Sequence, residues 1–210
     1  MEPRTTGNAN NGEVSLYYEV FGDPDQPTLL LVNGLGSQLI SFLPEFCARF
    51  VDAGFQVIRF DNRDVGLSTK TEERPPAIPE LLAARAEGRP MEVPYTVSDQ
   101  AADAVAVLDE VGVSAAHVWG MSMGGMIVQT MAVEHPDRVA TLTSVMSTTG
   151  NPKVGTPTRE AMAVLTVAPP RDREGAIAAG VEGRKVIGGS LYDEAWSIAL
   201  GAVSYTHLTL

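Results

Sequence analysis

The stretch HVWGMSMGGMIVQ, residues 117–129, places Ser122 between two glycines where one apolar run ends and a second, helix-length apolar segment begins. Its centre, GMSMG at 120–124, matches the pattern G-x-S-x-G at a predicted turn from strand to helix, which is the context that a nucleophile elbow requires. Such a turn is so sharp that Gly120 and Gly124 nearly touch. A side chain at either position would block it, which explains glycine at both.

Two interpretations of Ser122 follow from this pattern. In the first, Ser122 is a nucleophile on a strained backbone, and the amide of Met123, at the positive end of the new helix, points at a developing oxyanion. In the second, Ser122 is an ordinary serine N-cap and the glycines serve packing. The position of the motif between a strand and a helix favours the first.

The sequence on either side of this turn alternates between predicted strands and helices. Strands are predicted over residues 13–22, 27–34, 55–64, 115–120 and 139–147. Helices are predicted over residues 42–54, 95–113 and 122–134. Thr96 and Asp99 are spaced for a capping box, and the proline-rich residues 71–97 are typical of a surface excursion. The alternation predicts an α/β fold with a doubly wound, mostly parallel sheet.

Composition and charge exclude several classes of protein. The chain has 210 residues, of which 44% are hydrophobic, and a formal net charge of −11 at pH 7. This charge would repel phosphate backbones and anionic membrane surfaces, so we expect neither nucleic acid nor a membrane as a partner. Cys47 is the single cysteine, the first residues lack the pattern of a signal peptide, and no apolar run reaches the roughly 18 residues of a membrane span. We therefore expect a cytoplasmic protein.

A second glycine-containing loop, VNGLGSQ at residues 32–38, follows the neighbouring predicted strand. Because ligands collect at the carboxyl ends of the strands in such sheets, this loop and the Ser122 turn are expected to face one site. Acyl transfer needs a second N–H donor near the nucleophile, and the amide of Leu35 is placed to supply it. The alternative is a dinucleotide-binding loop, since residues 34–36 begin the pattern G-x-G-x-x-G, but its third position is Leu39 and the pattern fails.

Four ordered motifs carry a resemblance to a known family: NGLG (33–36), FDNRDVGLST (60–69), AADAVAVLDEVGVSAAHVWGMSMGG (101–125) and EHPDRV (134–139). Over residues 14 to 190 the chain resembles the α/β-hydrolase superfamily, in particular its serine-esterase branch that includes the aclacinomycin methylesterases. The resemblance implies a triad of serine, acid and histidine, an oxyanion hole made by the amides of Leu35 and Met123, and a helical cap after the strand at 139–147. Family members usually carry His-Gly where this chain has Asn33-Gly34, but a backbone donor does not depend on that side chain.

The identity of the nucleophile separates the branches of this superfamily. Haloalkane dehalogenases and epoxide hydrolases attack with an aspartate, so Ser122 favours acyl chemistry on carboxylic esters of small, fairly apolar molecules, without a metal or organic cofactor. Asp61, Arg63 and Asp64 form a charged cluster, which the resemblance assigns to a structural loop pinned by ion pairing. A non-catalytic binding protein of the same fold is the alternative function.

The histidine base and the carboxylate of such a triad should follow Ser122 in the chain. His117 lies before Ser122 in the same predicted strand, and His135 closes the helix that Ser122 opens, about 20 Å away at ~1.5 Å per residue. His207 alone follows in the right order. It lies in VSYTHLTL (203–210), which back-translates to the transposon-end adapter of sequencing libraries, so we expect this tail to be non-native.

The chain is therefore expected to be a C-terminally truncated and inactive part of an esterase. Residues 1–150 are predicted as the N-terminal part of the hydrolase core, 151–202 as the start of the helical cap, and 203–210 as the foreign tail. Asp172 and Asp193 follow the nucleophile but lie in cap-like sequence, and neither is expected to be the triad acid. The expected partner is a small-molecule ester, and the oligomeric state is left open.

Overall fold

A computed structural model describes residues 1–72, 76, 78–90, 92–151, 153–155, 157–166, 170 and 172–208. The strands of this part of the chain are β1 (Thr5–Asn11), β2 (Val14–Phe21), β3 (Thr28–Val32), β4 (Gln56–Phe60), β5 (Ala116–Met121) and β6 (Val139–Val145). The α-helices are α1 (Pro44–Asp52), α2 (Ile78–Ala86), α3 (Val97–Val111), α4 (Met123–Glu134), α5 (Arg159–Thr166), α6 (Arg173–Ile187) and α7 (Glu194–Leu208).

The strands form one mixed sheet in the order β1-β2-β4-β3-β5-β6. The strands β4, β3, β5 and β6 are parallel, whereas β1 and β2 form a hairpin that joins β4 in antiparallel fashion. The chain passes from β3 to β4 on one side and then crosses to β5 on the other, so the strand order reverses between β3 and β5. Open α/β sheets bind ligands at the carboxyl ends of the strands at such a reversal. The predicted α/β class and mostly parallel sheet are confirmed.

Helices cover both faces of this sheet. On one face α1 packs over the central strands, and the ring of Phe42 lies 5.5 Å from that of Trp119. On the other face α3 and α4 pack around residues such as Leu30, Val118 and Ile127. The strands β3 and β4 are buried along their whole length, as expected of strands covered on both sides. The sequence TLLLV of β3 is almost entirely apolar, whereas β4 also buries Gln56 and Arg59.

Local sequence signals account for some element ends but not for every strand. The predicted capping box is present, since the Thr96 side chain accepts from the amide of Asp99 and the Asp99 carboxylate accepts from that of Thr96. The strand β1 was not predicted, because its sequence TTGNANN is polar and has a single buried residue, Ala9. Its extended conformation comes from pairing along its full length with β2.

The chain divides into two units, Met1–Asn151 and Pro152–Leu210. The first unit holds the whole sheet. In the second unit Asp172 and Asp193 accept hydrogen bonds from backbone amides at the starts of α6 and α7, at 2.7 and 2.8 Å. Both aspartates therefore act as helix caps, and the expectation that neither is the triad acid stays a prediction.

The carboxyl-terminal residues form the last part of α7, which runs to Leu208. The side chain of His207 lies outside the described residues. The assignments of residues 151–202 to a helical cap and of 203–210 to a foreign tail stay predictions. Across the ranges that the structure describes, every helix is too short or too polar to cross a membrane.

Candidate functional site

Ser122 lies at the carboxyl end of β5, immediately before α4. Its backbone has φ 56° and ψ −120°, a strained conformation that costs on the order of 1–3 kcal/mol and that clusters at functional sites. The half-buried side chain makes no capping hydrogen bond to α4, so the interpretation of Ser122 as an ordinary N-cap serine is wrong. Its Oγ has no hydrogen-bond partner among the described residues.

The glycines on either side of Ser122 allow close approach of backbone. A Cβ on Gly124 would lie 2.1 Å from the carbonyl oxygen of Val32 and 2.6 Å from that of Asn33. A Cβ on Gly120 would meet Gly124 itself. The turn is thus folded against itself and against the end of β3, as the G-x-S-x-G spacing predicts.

The loop after β3 lies against this turn. A Cβ on Gly34 would be 3.1 Å from the Cβ of Ser122 and 3.6 Å from its Oγ. The next residue, Leu35, is 67% exposed. Within the described residues, the backbone N–H groups of Leu35 and Met123 have no acceptor. One unpaired backbone donor therefore belongs to the residue directly after Ser122, and the other belongs to the residue directly after Gly34, which lies against Ser122.

Side chains from two loops fix the loop that carries Leu35. Asn62 Nδ2 donates to the carbonyl oxygen of Asn33 at 3.1 Å, and Asn33 Nδ2 donates to that of Gln38 at 2.8 Å. The amide of Leu39 donates to Asp61 Oδ1 at 2.7 Å. Asn33, Asp61 and Asn62 are all buried. The asparagine that stands in place of the usual family histidine thus closes the loop through its own side-chain amide.

The charged cluster after β4 is engaged in structural contacts. Burial raises the pKa of the Asp61 carboxyl, and hydrogen bonds from backbone amides, including that of Leu67 at 2.9 Å, oppose this rise. Arg63 pairs with the buried Asp103 of α3 at 2.6 Å. Asp64 Oδ1 accepts from a backbone amide at 2.5 Å. These contacts agree with the structural role that the sequence resemblance implied.

The histidines of the first unit lie away from the serine. His117 Nδ1 lies 2.8 Å from Thr141 Oγ1, and its ring packs edge-on against Phe55. His135 is the C-cap of α4, so it is separated from Ser122 by the length of that helix, about 18 Å at ~1.5 Å per residue. In the part of the chain that the structure describes, no histidine or carboxylate is hydrogen-bonded to Ser122 Oγ.

Sequence reasoning missed a contribution of β6 to the site. The amide of Ser122 donates to the carbonyl oxygen of Val145 at 2.9 Å, and Ser147 Oγ donates to the carbonyl oxygen of Ser122 at 2.7 Å. A serine that follows a strand is too common in sequences to have indicated this contact.

The sequence profile of the alpha/beta hydrolase fold family matches residues 27–186. The chain belongs to this family. The match begins just before β3 and includes the loop at 33–36 and the Ser122 turn, which are the two parts of the site described above.

Among the relatives of this α/β-hydrolase, rhodomycin D methylesterase DnrP of Streptomyces peucetius is 40% identical over 136 residues, which is 65% of this chain and 40% of that protein. The putative carbamate hydrolase RutD of Variovorax paradoxus (strain S110) is 32% identical over 130 residues, 62% of this chain and 41% of that protein. The chain thus spans about two fifths of the length of these relatives. The crystal structure of the esterase RhEst1 from Rhodococcus sp. ECU1013 aligns with 95% of this chain, and the aligned part is 69% of the RhEst1 chain. The TM-score is 0.70 at 23% sequence identity, so the comparison shows the shared fold.

Proposed function

We propose that the protein is a serine hydrolase that cleaves carboxylic esters of small, fairly apolar molecules through an acyl-enzyme. The observation that carries this proposal is the strained Ser122, whose Oγ makes no capping bond and lies against the loop at Gly34. Backbone strain of this kind persists only where the surrounding structure maintains it. A serine that merely capped a helix would not need a strained backbone, because N-cap residues adopt ordinary extended conformations.

In the proposed reaction Ser122 Oγ attacks the ester carbonyl carbon and its proton passes to a base. The amides of Leu35 and Met123 donate to the oxyanion of the tetrahedral intermediate, because both are unpaired and the second lies at the positive end of α4. The alcohol leaves with the proton, and water then hydrolyses the acyl-enzyme to the acid and free Ser122. By resemblance, the base is a histidine held by a carboxylate; the described residues place neither beside Ser122.

Two observations support carboxylic esters as the substrate class: the identity of the nucleophile and the names of the similar proteins. A serine directs the fold toward acyl transfer, whereas the aspartate of dehalogenases and epoxide hydrolases attacks saturated carbon. A methylesterase and a putative carbamate hydrolase are among the similar proteins, and both names describe attack on a carbonyl group. We propose a cytoplasmic location, since Cys47 is the single cysteine of the given sequence and no disulfide can form within it.

Covalent labelling of the full-length gene product with a fluorophosphonate probe tests this function. We expect one phosphonyl group per chain, located on Ser122 by peptide mass spectrometry, and hydrolysis of short p-nitrophenyl esters. Ser122→Ala should abolish both. The matched control is Ser98→Ala, which removes a serine hydroxyl on α3 that bonds to Glu134 and should leave both intact.

A different result would favour a non-catalytic binding protein of this fold. If the folded wild-type protein is neither labelled nor active on esters, or if Ser122→Ala retains the wild-type rate, Ser122 is not a nucleophile and the proposed function is wrong.

A further inference from the structure

The backbone of Ser122 is held from both sides by the end of β6. Its amide donates to the carbonyl oxygen of Val145 at 2.9 Å. Its carbonyl oxygen accepts from Ser147 Oγ at 2.7 Å, as well as from the amides of Gly125 and Met126 in the first turn of α4 at 2.9 and 3.4 Å. Among the described residues, Ser147 is the only one that bonds to the backbone of Ser122 through its side chain.

The residue between these two contacts is itself strained. Met146 has φ 47° although it is not glycine, and the left-handed conformation is uncommon for a residue with a side chain of this size. The chain bends at Met146 directly after β6, and the residues on either side of it, Val145 and Ser147, both reach the backbone of Ser122. Strained residues of this kind persist where neighbouring contacts determine them and cluster at functional sites.

The third glycine of the sequence GMSMGG (120–125), Gly125, makes room for this arrangement. A Cβ on Gly125 would lie 2.4 Å from the Cβ of Ser147 and 2.6 Å from its Oγ. The G-x-S-x-G pattern does not require glycine at this position. Its presence lets the segment after β6 approach the first turn of α4 closely enough for the hydroxyl of Ser147 to reach the carbonyl of Ser122.

We propose that Ser147 is a positioning residue for the Ser122 nucleophile: its hydroxyl holds the strained turn in the conformation that directs Oγ to the substrate carbonyl. This role rests on the proposed function, since it presumes that Ser122 attacks an ester. The hydrogen bond is made to the carbonyl of the nucleophile itself, so its loss removes one of the three donors that hold the peptide plane after Ser122. A small displacement of an attacking atom lowers the rate of the chemical step much more than it lowers the binding of substrate.

The chain offers a matched control three residues earlier. Ser144 also lies close to Gly125, with its Oγ 2.7 Å from the position of a Cβ there. It accepts a hydrogen bond from Gln129 Nε2 at 2.9 Å instead of donating to Ser122. Ser144→Ala and Ser147→Ala therefore each remove one hydroxyl and one hydrogen bond between the β6 segment and α4, and only the second touches the nucleophile.

The test measures p-nitrophenyl butyrate hydrolysis and fluorophosphonate labelling rates of the full-length gene product. We expect Ser147→Ala to lower kcat and the labelling rate roughly 10- to 100-fold with KM changed less than about twofold, and Ser144→Ala to leave all three near the wild-type values. Both variants should show similar small decreases in Tm. If Ser147→Ala does not fold, Ser147→Cys keeps the shape with a weaker donor and should fold with a reduced kcat.

Two results overturn the proposal in distinguishable ways. If the wild-type protein labels at Ser122 and Ser147→Ala, or Ser147→Cys in its place, reacts as fast as Ser144→Ala, the positioning role is wrong while the proposed function stands. If the wild-type protein does not label at all, the proposed function fails and the positioning role fails with it.

Discussion

Gly120 and Gly124 approach each other so closely across the elbow that a Cβ on Gly120 would lie 2.1 Å from the carbonyl oxygen of Gly124. The same Cβ would lie 2.7 Å from the amide nitrogen of Gly125. Both contacts are with backbone, which cannot swing away as the end of a flexible side chain can. The position two residues before the serine therefore has no room for any side chain, and the elbow depends on it.

Gly120→Ala is expected to destabilise the protein by about 3 kcal/mol or more, at the upper end of what overpacking costs, because relief requires movement of α4 against β5. Urea unfolding followed by circular dichroism measures the change. Gly180→Ala in α6 is the control, since its nearest neighbour is the end of the Arg184 side chain at 3.4 Å and alanine favours a helix by up to ~1 kcal/mol. Equal unfolding midpoints for Gly120→Ala and the wild-type protein would contradict the close approach.

The backbone of Leu35, rather than its exposed side chain, is expected to contribute to the reaction. In the full-length gene product Leu35→Pro removes the N–H donor and should lower kcat by roughly 10²- to 10³-fold, as loss of an oxyanion donor does. Leu35→Ala keeps the donor and should change substrate preference only modestly. Steady-state kinetics on p-nitrophenyl esters compare the two. If both substitutions lower kcat equally, the side chain and not the amide is responsible.

The parts of the fold with a local sequence signal could be predicted, and the strand β1 shows where such signals end. The buried run of β3 and the GMSMG turn at 120–124 each carry their pattern within a few residues. The polar strand β1 carries none, because its conformation depends on pairing with β2. Propensity alone does not determine a strand whose neighbours supply the hydrogen bonds.

The contact between Ser147 and Ser122 depends in the same way on a relationship between distant residues. The register of β6 on β5 pairs Gly120 with Ser144 and Met121 with Val145. This register brings the segment after Val145, which includes Ser147, next to the nucleophile. A shift of one residue would place other side chains there, and nothing within the sequence of β6 fixes the register by itself.

The capping box of α3 gives a prediction about stability and pH. Thr96→Ala removes the side-chain acceptor for the amide of Asp99 and should lower the free energy of unfolding at pH 7 by about 1 kcal/mol. Thr96→Ser keeps the cap and should cost much less. Urea unfolding of the three proteins measures these differences.

The capping box also determines how the free energy of unfolding depends on pH. Hydrogen bonds from the Thr96 hydroxyl and backbone amide hold the pKa of Asp99 below its ordinary value of 3.8. Because the pKa of Asp99 is lower in the folded state, the ionised carboxylate stabilises the fold at pH values above 3.8. This stabilisation is lost as the pH falls through the folded-state pKa. The difference between wild-type protein and Thr96→Ala should therefore shrink below that pH. A difference that is constant down to pH 2.5 would show that Asp99 does not respond to Thr96.

The strand β6 forms one edge of the sheet, and residues 140–144 within it are exposed. Its sequence VATLTSV carries no charge and is rich in β-branched residues. The other edge, β1, has the polar sequence TTGNANN. Unprotected edge strands that are apolar and uncharged pair with other chains, whereas polar edges are much less prone to this.

We therefore expect the 210-residue chain to aggregate through β6, and Thr143→Lys to slow the aggregation markedly. Thr143 lies on the face of β6 opposite to Ser144, which bonds to α4, so a lysine there extends from the strand without disturbing the helix. Thr5→Lys is the control, because it adds the same charge to the exposed start of β1 at the opposite edge. Light scattering at matched concentration and temperature compares the three chains. If both lysines slow aggregation equally, net charge and not the edge of β6 governs it, and if neither does, another surface of the chain is responsible.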